Sequence, residues 1–319
     1  MGGTGTIYIV WMDNRDGGRE HIYFNKSTDG GKSFAGEDVR VDHETSSSYC
    51  PSMDINEQGN IYVAWNHWQE FSNIYSTKSL DGGASFDGNF VRVDDEVGNG
   101  CPHLSLDGRG YIHLLWLKGP CPTSHSNVYY DKSVDGGNTF GTDVRVDDGD
   151  STCCFLNSAV DNGGDIYAIW SDRRDEGDNN IYFAMSADGG ATFSEDMRID
   201  HQEGVSSNPC MAADDNGYVY AVWDVSDAIY FNRFNAFATL GVKGDINLDA
   251  VIDILDVVLA VNIILEILHP TRYQQWAADY DGDDVVNIID AILIVNWILG
   301  NDSSTAQQLI QSFKKEGGR

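Results

Sequence analysis

The residues best placed to do chemistry lie toward the C-terminal end of the chain. From Asp245 the sequence sets oxygen-bearing side chains at positions 1, 3, 5, 9 and 12 of a twelve-residue loop: Asp245, Asn247, Asp249, Asp253 and Asp256. The pattern returns as Asp279, Asp281, Asp283, Asn287 and Asp290, and the backbone carbonyls of Val251 and Val285 fall at position 7 of each loop. Hard oxygen ligands at this spacing wrap a hard cation, and the spacing is that of a calcium loop. Two unrelated acidic turns would not match at five positions and each run into an apolar helical stretch, so two calcium ions are expected. Position 6, normally glycine, is Ala250 in the first loop and Asp284 in the second. Asp tolerates a positive φ better than Ala, so the first site is expected to be the weaker.

A second set of charged residues sits in two loops far upstream. Trp11-Met12-Asp13-Asn14-Arg15 and Trp170-Ser171-Asp172-Arg173-Arg174 share a pattern in which Asp13 matches Asp172 and Arg15 matches Arg174. Such groups could converge on a carboxylated sugar, with arginine as the bidentate partner. The plainer alternative is that each Asp–Arg pair braces its own loop. Trp68, in a polar loop, is the candidate for stacking on a sugar ring. Loop acids such as Glu44, Glu70 and Asp172 keep a paired-carboxylate glycosidase open, but spacing along the chain does not select two of them.

The elements that must carry these loops are repeated. Ser-x-Asp-Gly-Gly-x-(Ser/Thr)-Phe occurs at Ser27–Phe34, Ser79–Phe86, Ser133–Phe140 and Ser186–Phe193, at nearly constant intervals. Around each octapeptide the order is fixed. A short strand, such as Pro51 to Ile55, leads to a second strand ending in Trp11, Trp65, Trp116, Trp170 or Trp223. A third aromatic strand precedes the octapeptide, and a fourth reads Val-Arg-Val-Asp or Met-Arg-Ile-Asp. β-Branched and aromatic runs between Gly, Asp and Asn turns are antiparallel strands, and four per unit of this length is the period of a propeller blade. Within the octapeptide, Gly-Gly supplies positive φ, the Asp accepts hydrogen bonds from its own turn, and the Phe anchors the hairpin. The motif is expected to fasten blades and to take no part in catalysis.

These octapeptides resemble the Asp-boxes, or bacterial neuraminidase repeats, of sialidase-like propellers, over about residues 1–235. The resemblance implies that the boxes lie away from the working face, which then carries the loops between second and third strands. It also implies an arginine triad, a Tyr–Glu nucleophile pair and an acid–base Asp in an active sialidase. No Arg-x-Pro motif occurs, and the candidate arginines come from two units only. The first unit lacks its first strand and the last lacks its box and fourth strand, which fits five blades or a truncated ring of six or more.

The C-terminal loops resemble those of type I dockerins, which carry Asp at position 12 in a duplicated loop–helix unit. That implies docking onto a cohesin-type module of an extracellular scaffold, with loop positions 10 and 11 choosing the partner. Those positions are Ile254-Leu255 and Ile288-Ile289, equally readable as a binding patch or as helix core. Each loop is expected to be followed by one helix and preceded by none. The first helix would bear the stripe Ile254, Val257, Val258, Val261, Ile264, Leu265 and Leu268 up to Pro270, and the second Ile288, Ala291, Ile292, Val295 and Ile298.

Composition agrees with this division. Fifty acidic residues against 20 basic ones give a formal charge of −30, which repels nucleic acid and anionic membranes. No apolar run is long enough to insert in a bilayer, and no signal peptide precedes the first strand-like segment. Six cysteines suit an extracellular chain, with Cys50 and Cys101 at matching repeat positions; the pairing is left open. The expectation is an all-β propeller of five visible blades over 1–240, a small α-helical calcium-binding dockerin-like domain over 241–300, and a tail over 301–319. The leading function is a secreted or cell-surface protein that binds a glycan and is tethered through cohesin. The rivals are a sialidase-type exo-glycosidase and a purely structural cell-surface protein.

Overall fold

The computed structural model describes residues 5–300 except 16, 35, 44, 87, 120–125, 150–152, 175–177 and 202. Glu44, Cys121 and the tail over 301–319 therefore lie outside the described residues.

Among the described residues, five antiparallel sheets follow one another along the chain. The first holds β1 (Ile7–Asp13), β2 (His21–Ser27) and β3 (Val39–Arg40). Three four-stranded sheets come next: β4 (Ser47–Ile55) to β7 (Val91–Arg92), β8 (Asn99–Leu106) to β11 (Val144–Arg145), and β12 (Cys153–Val160) to β15 (Met197–Arg198). The second and third strands of these sheets are β5 (Ile61–Trp68) and β6 (Ser72–Ser79), β9 (Ile112–Lys118) and β10 (Asn127–Ser133), and β13 (Ile166–Asp172) and β14 (Asn180–Ser186). The last sheet holds β16 (Ser206–Ala213), β17 (Tyr218–Val225) and β18 (Ala228–Asn235). First strands of neighbouring sheets lie side by side, which makes them the inner edges of propeller blades. As the repeat implies, among the described residues the first sheet has no such strand and the last has no fourth.

The second strands of the three four-stranded sheets, β5, β9 and β13, are buried on both faces, which is why they read as unbroken apolar runs. Ile61, Val63 and Trp65 pack against the first sheet, whereas Tyr62 and Ala64 pack against the third. The terminal sheets each leave a face uncovered, with Ile7 and Ile9 exposed on β1 and Ile229 and Phe231 exposed on β18. The fourth strands have only two residues because their second Val or Ile is followed by a buried Asp. Asp94 Oδ1 accepts from Ile74 N and pairs with Arg92 at 3.1 Å, and Asp42, Asp147 and Asp200 are equally buried.

The inner strands start earlier than sequence patterning suggests. β4 begins at Ser47 and is broken by a bulge between Tyr49 and Ser52, where Cys50 takes φ 51. The bulge recurs at Cys101, Phe155 and Asn208, interrupting the alternation that marks a strand. Cys50 and Cys101 form a disulfide between the bulges of adjacent inner strands. Cys153 is a buried free thiol and Cys210 an exposed one, and Cys154 is buried beside Cys153.

The octapeptide Phe also reaches across to the preceding blade. Phe86 packs on Phe24 of the preceding sheet at 5.3 Å, and Phe193 on Tyr130 at 5.5 Å. Phe34, with no described sheet before it, is 42% exposed. The second box glycine is required twice over. Gly83 has φ +87, and a Cβ there would lie 2.2 Å from the Phe24 ring.

Four helices follow among the described residues: α1 (Ala236–Leu240), α2 (Ile254–Ile264), α3 (Arg272–Ala278) and α4 (Ile288–Ile298). A short helix thus precedes each loop, contrary to expectation. At five and seven residues, α1 and α3 are too short for a periodic signal; Asn235 and Thr271 cap them. α2 and α4 pack on one another, and Ala260, Tyr273, Ala277 and Ile294 join the core of the fourth and fifth sheets. No described helix is long and apolar enough to cross a membrane.

Candidate functional site

In both C-terminal loops, the position-12 carboxylate ties the loop's two ends together. Asp256 Oδ1 accepts from Ile246 N at 2.7 Å while Oδ2 accepts from Asp253 N at 2.9 Å. Asp290 repeats this with Tyr280 N at 2.9 Å and Asn287 N at 2.8 Å. Positions 9 and 12 are also the N-cap and N3 of the following helix, so Asp253/Asp256 and Asn287/Asp290 form capping boxes. One pair of side chains therefore starts the helix and closes the loop.

Position 1 curls the rest of the loop inward. Asp245 accepts from Asp249 N and Ala250 N, and Asp279 from Asp283 N and Asp284 N. Asp279, Asp281 and Asp283 each bring an oxygen within 4.8 Å of the other two. Such a gathering of like charges fits a hard divalent cation bound by oxygen donors. In the first loop, burial pushes Asp245 and Asp256 above the usual carboxylate range, and neighbouring carboxylates add to the shift. Lys243 Nζ donates to the carbonyls of Trp276 and Asp279, linking the start of the first loop to the start of the second.

The backbone bears out the expected strain and adds to it. Ala250 and Asp284 both have φ 65 at position 6. Position 4 is left-handed as well, occupied by Gly282 in the second loop but by Leu248 (φ 58) in the first.

The predicted helical stripe of α2 does not coincide with its buried face. α2 ends at Ile264, well before Pro270, and Ile254, Val258 and Leu265 are exposed. Asp256 and Ala260 are buried instead, because the capping carboxylate turns inward to hold the loop. Ile254 is 63% and Ile288 59% exposed, with Leu255 exposed beside the first, so position 10 faces outward in both copies. Trp297 and Leu299 extend the apolar surface at the far end of α4.

The upstream loops show a different economy of charge. Arg15 donates from Nε to Asp13 at 3.0 Å and from NH1 to Asp38 at 2.5 Å, stacked 4.5 Å from the Tyr23 ring. Arg174 donates to Asp172, Asp148 and Asp196 at 2.8, 2.8 and 2.6 Å, over the Tyr182 ring at 4.3 Å. Their carboxylate partners flank the first sheet in one case and the third and fourth in the other. Trp68 ends β5 in an exposed position, and Phe71 is exposed beyond the same turn.

Asp148 and Asp196 were not singled out from the sequence. Each accepts the other's backbone amide across adjacent blades, as do Asp95 and Asp143. Burial pushes Asp196 up to about 7, with the facing Asp148 adding to the shift. The available signal was an Asp one residue before Val144 and Met197, matched by an Asp following the fourth strand of the preceding unit.

Comparison with known proteins adds two findings. Among curated proteins, no sequence matches the chain. The fold resembles a protein of unknown function from Dyadobacter fermentans DSM 18053, at 17% identity and a TM-score of 0.57, covering 75% of this chain and 78% of that one. Weaker likenesses include the Hadza microbial sialidase Hz136 (13% identity, TM-score 0.47, 68% of this chain and 52% of that one) and a Penicillium chrysogenum alpha-L-arabinanase (16%, 0.48, 59% and 63%). The chain thus spans about half the length of that sialidase. At these identities only the sheet architecture is shared. The C-terminal match is of another kind, since the dockerin type I family model aligns over residues 243–299, from the residue before Gly244 to the end of α4. The chain is a β-propeller that carries a dockerin type I domain.

Proposed function

We propose that this protein is an extracellular, glycan-directed propeller held on a cohesin-bearing scaffold by a C-terminal domain that binds two calcium ions. The observation that carries the anchoring half is the pairing of two calcium-type loops with outward-facing apolar residues at Ile254-Leu255 and Ile288. A loop that orders around its cation fixes the N-cap of the following helix, and so presents those residues at a defined angle. The metal ligands are Asp245, Asn247, Asp249, the Val251 carbonyl, Asp253 and Asp256 in the first loop. In the second they are Asp279, Asp281, Asp283, the Val285 carbonyl, Asn287 and Asp290.

On the propeller, Trp68 is the ligand-contacting residue, and Phe71 widens its apolar surface. Asp13 with Arg15, and Asp172 with Arg174, shape the face around it. Their guanidinium donors are engaged by the protein's own carboxylates, which supports bracing over capture of a sugar carboxylate. The sialidase-type hydrolase remains the rival reading, and no catalytic pair is assigned.

Binding of purified type I cohesin to the full chain tests the anchoring. Complex formation is expected in calcium and lost in chelator, and the pair Ile254→Asp with Ile288→Asp should weaken it more than either change alone. Undiminished binding by the double variant would refute the assignment of that surface. A glycan array read with the parent and Trp68→Ala tests the propeller half.

A further inference from the structure

The turn between β12 and β13 departs from its siblings at two positions. Where the second, third and fifth sheets have Gln58, Arg109 and Asn216, this turn has Gly163; where they have Asn60, Tyr111 and Tyr218, it has Asp165. Both departures meet α3. A Cβ at Gly163 would lie 2.5 Å from Arg272 Cγ and 2.9 Å from Arg272 N, so a side chain here would push the helix off. Asp165 is fully buried, and its Oδ2 accepts from Tyr273 N at 2.6 Å. Thr271, which caps α3, donates from Oγ1 to the carbonyl of Ala187 in the same sheet's octapeptide at 2.9 Å.

Tyr273 continues the connection. Its ring is fully buried in the core shared by both domains, and its hydroxyl donates to the carbonyl of Asp245 at 2.8 Å. Asp245 is position 1 of the first loop. Four residues thus span from a propeller turn to a metal-binding loop: Gly163 admits the helix, Asp165 holds its amide, Tyr273 crosses the core, and Asp245 receives the hydroxyl. Phe237 packs on Tyr273 at 5.6 Å from the propeller side.

We propose that this turn is a dedicated seat for α3, and that cation loading of the first loop is transmitted through Tyr273 to stabilise the fourth and fifth propeller sheets. The inference rests on the calcium reading above. A ligand that binds only the ordered loop stabilises whatever must be ordered with it, and coupling of this kind is reciprocal. The seat therefore raises the loop's cation affinity as the cation strengthens the seat. The domain is then a calcium-dependent clamp on one end of the propeller, built on the Asp-box side and leaving the opposite loops clear.

The test is amide hydrogen exchange of the full chain in calcium and in chelator, after calorimetry has counted the bound ions. With free calcium at about 100 times its dissociation constant, exchange in β13, β14 and β17 should slow by up to about 100-fold. β5 and β6 should not respond. Failure to bind calcium overturns the metal reading; calcium bound with unchanged exchange in β13 and β14 overturns the clamp alone. Gly163→Arg leaves every ligand intact, in a turn whose sibling already carries Arg109. It should still bind calcium but lose the calcium-dependent protection of β13 and β14, and persistence of that protection refutes the seat. Tyr273→Phe, which removes only the hydroxyl, should lower the first site's affinity several-fold and spare the second. Equal affinities in parent and variant would remove Tyr273 from the pathway.

Discussion

The Asp-box turn of the second blade and the second C-terminal loop share an Asp-Gly step, at Asp81-Gly82 and Asp281-Gly282, but they surround it with different side chains. Asp81 Oδ1 accepts from Ser79 Oγ, Ala84 N and Ser85 N, and Oδ2 accepts from Ser85 Oγ. These donors, led by the Ser85 hydroxyl, hold its carboxyl well below the usual carboxylate range. In the loop, Asp281 has Asp279 at the offset where Asp81 has Ser79, so a hydroxyl donor is replaced by a second acceptor. Three carboxylates then face one another within 4.8 Å, and backbone amides such as Asp283 N donate to them. An aspartate turn surrounded by hydroxyls closes on itself, whereas one surrounded by aspartates asks for a cation.

The comparison breaks most sharply if a loop ligand can be lost without losing an ion. Asp279→Ala is expected to abolish the second site, reducing the calcium stoichiometry of the full chain from two to one in calorimetry. The variant should also lose helicity in α4, because the loop that presents the Asn287 cap is no longer closed. An unchanged stoichiometry would mean that the three facing carboxylates are not a metal site.

The matching change in the box should act on stability alone. Asp81→Ala removes four accepted hydrogen bonds, and a cost of about 1–3 kcal/mol in denaturant unfolding is expected, with calcium affinity unaltered. A shift in calcium affinity instead would dissolve the distinction between the two turns. This contrast was legible in the sequence, because hydroxyls and carboxylates stand at fixed offsets in each motif. The blade period and the five second strands could likewise be read directly. What escaped has physical reasons. The bulges at Cys50 and Cys101 interrupt the alternation that marks a strand. α1 and α3 owe their existence to caps and to the propeller surface. The exposure of Ile254 depends on which way Asp256 turns, which helical periodicity does not encode. Pairing between Asp148 and Asp196 depends on how adjacent blades align, which no single repeat contains.

A third pair of carboxylates separates the two behaviours by pH. Asp196 is raised by burial to about 7, so its contribution is fully present below the unfolded carboxylate range and is lost as pH rises through about 7. Asp81 is depressed, so its contribution is present above the unfolded range and lost only on strong acidification. Propeller stability in chelator should therefore fall by on the order of 1 kcal/mol between pH 5 and 8. Asp196→Asn, facing Asp148 and Arg174 with Asp172 and Asp147 nearby, should flatten that slope in urea unfolding. A slope that survives the substitution would assign it to other groups.

The smallest effect distinguishes the two calcium loops from each other. Both set oxygen-bearing side chains at the same five positions, yet the first places Leu248 and Ala250 in left-handed backbone where the second places Gly282 and Asp284. Holding a non-glycine residue in that region costs roughly 1 kcal/mol, and Asp is strained less than Ala because its side chain can bond locally. Ala250→Gly relieves that strain in the folded loop, while the added freedom of glycine in the unordered loop offsets part of the gain. The net expectation is a first-site affinity improved by a few-fold, with the second site unchanged, read as a narrowing of the gap between two calorimetric transitions. Leu248→Gly should act in the same direction, and the two changes should add only in part because they lie in one turn. Equal affinities in the parent would show that the hydroxyl of Tyr273 on Asp245 compensates the strain. In that case Tyr273→Phe should reopen the gap.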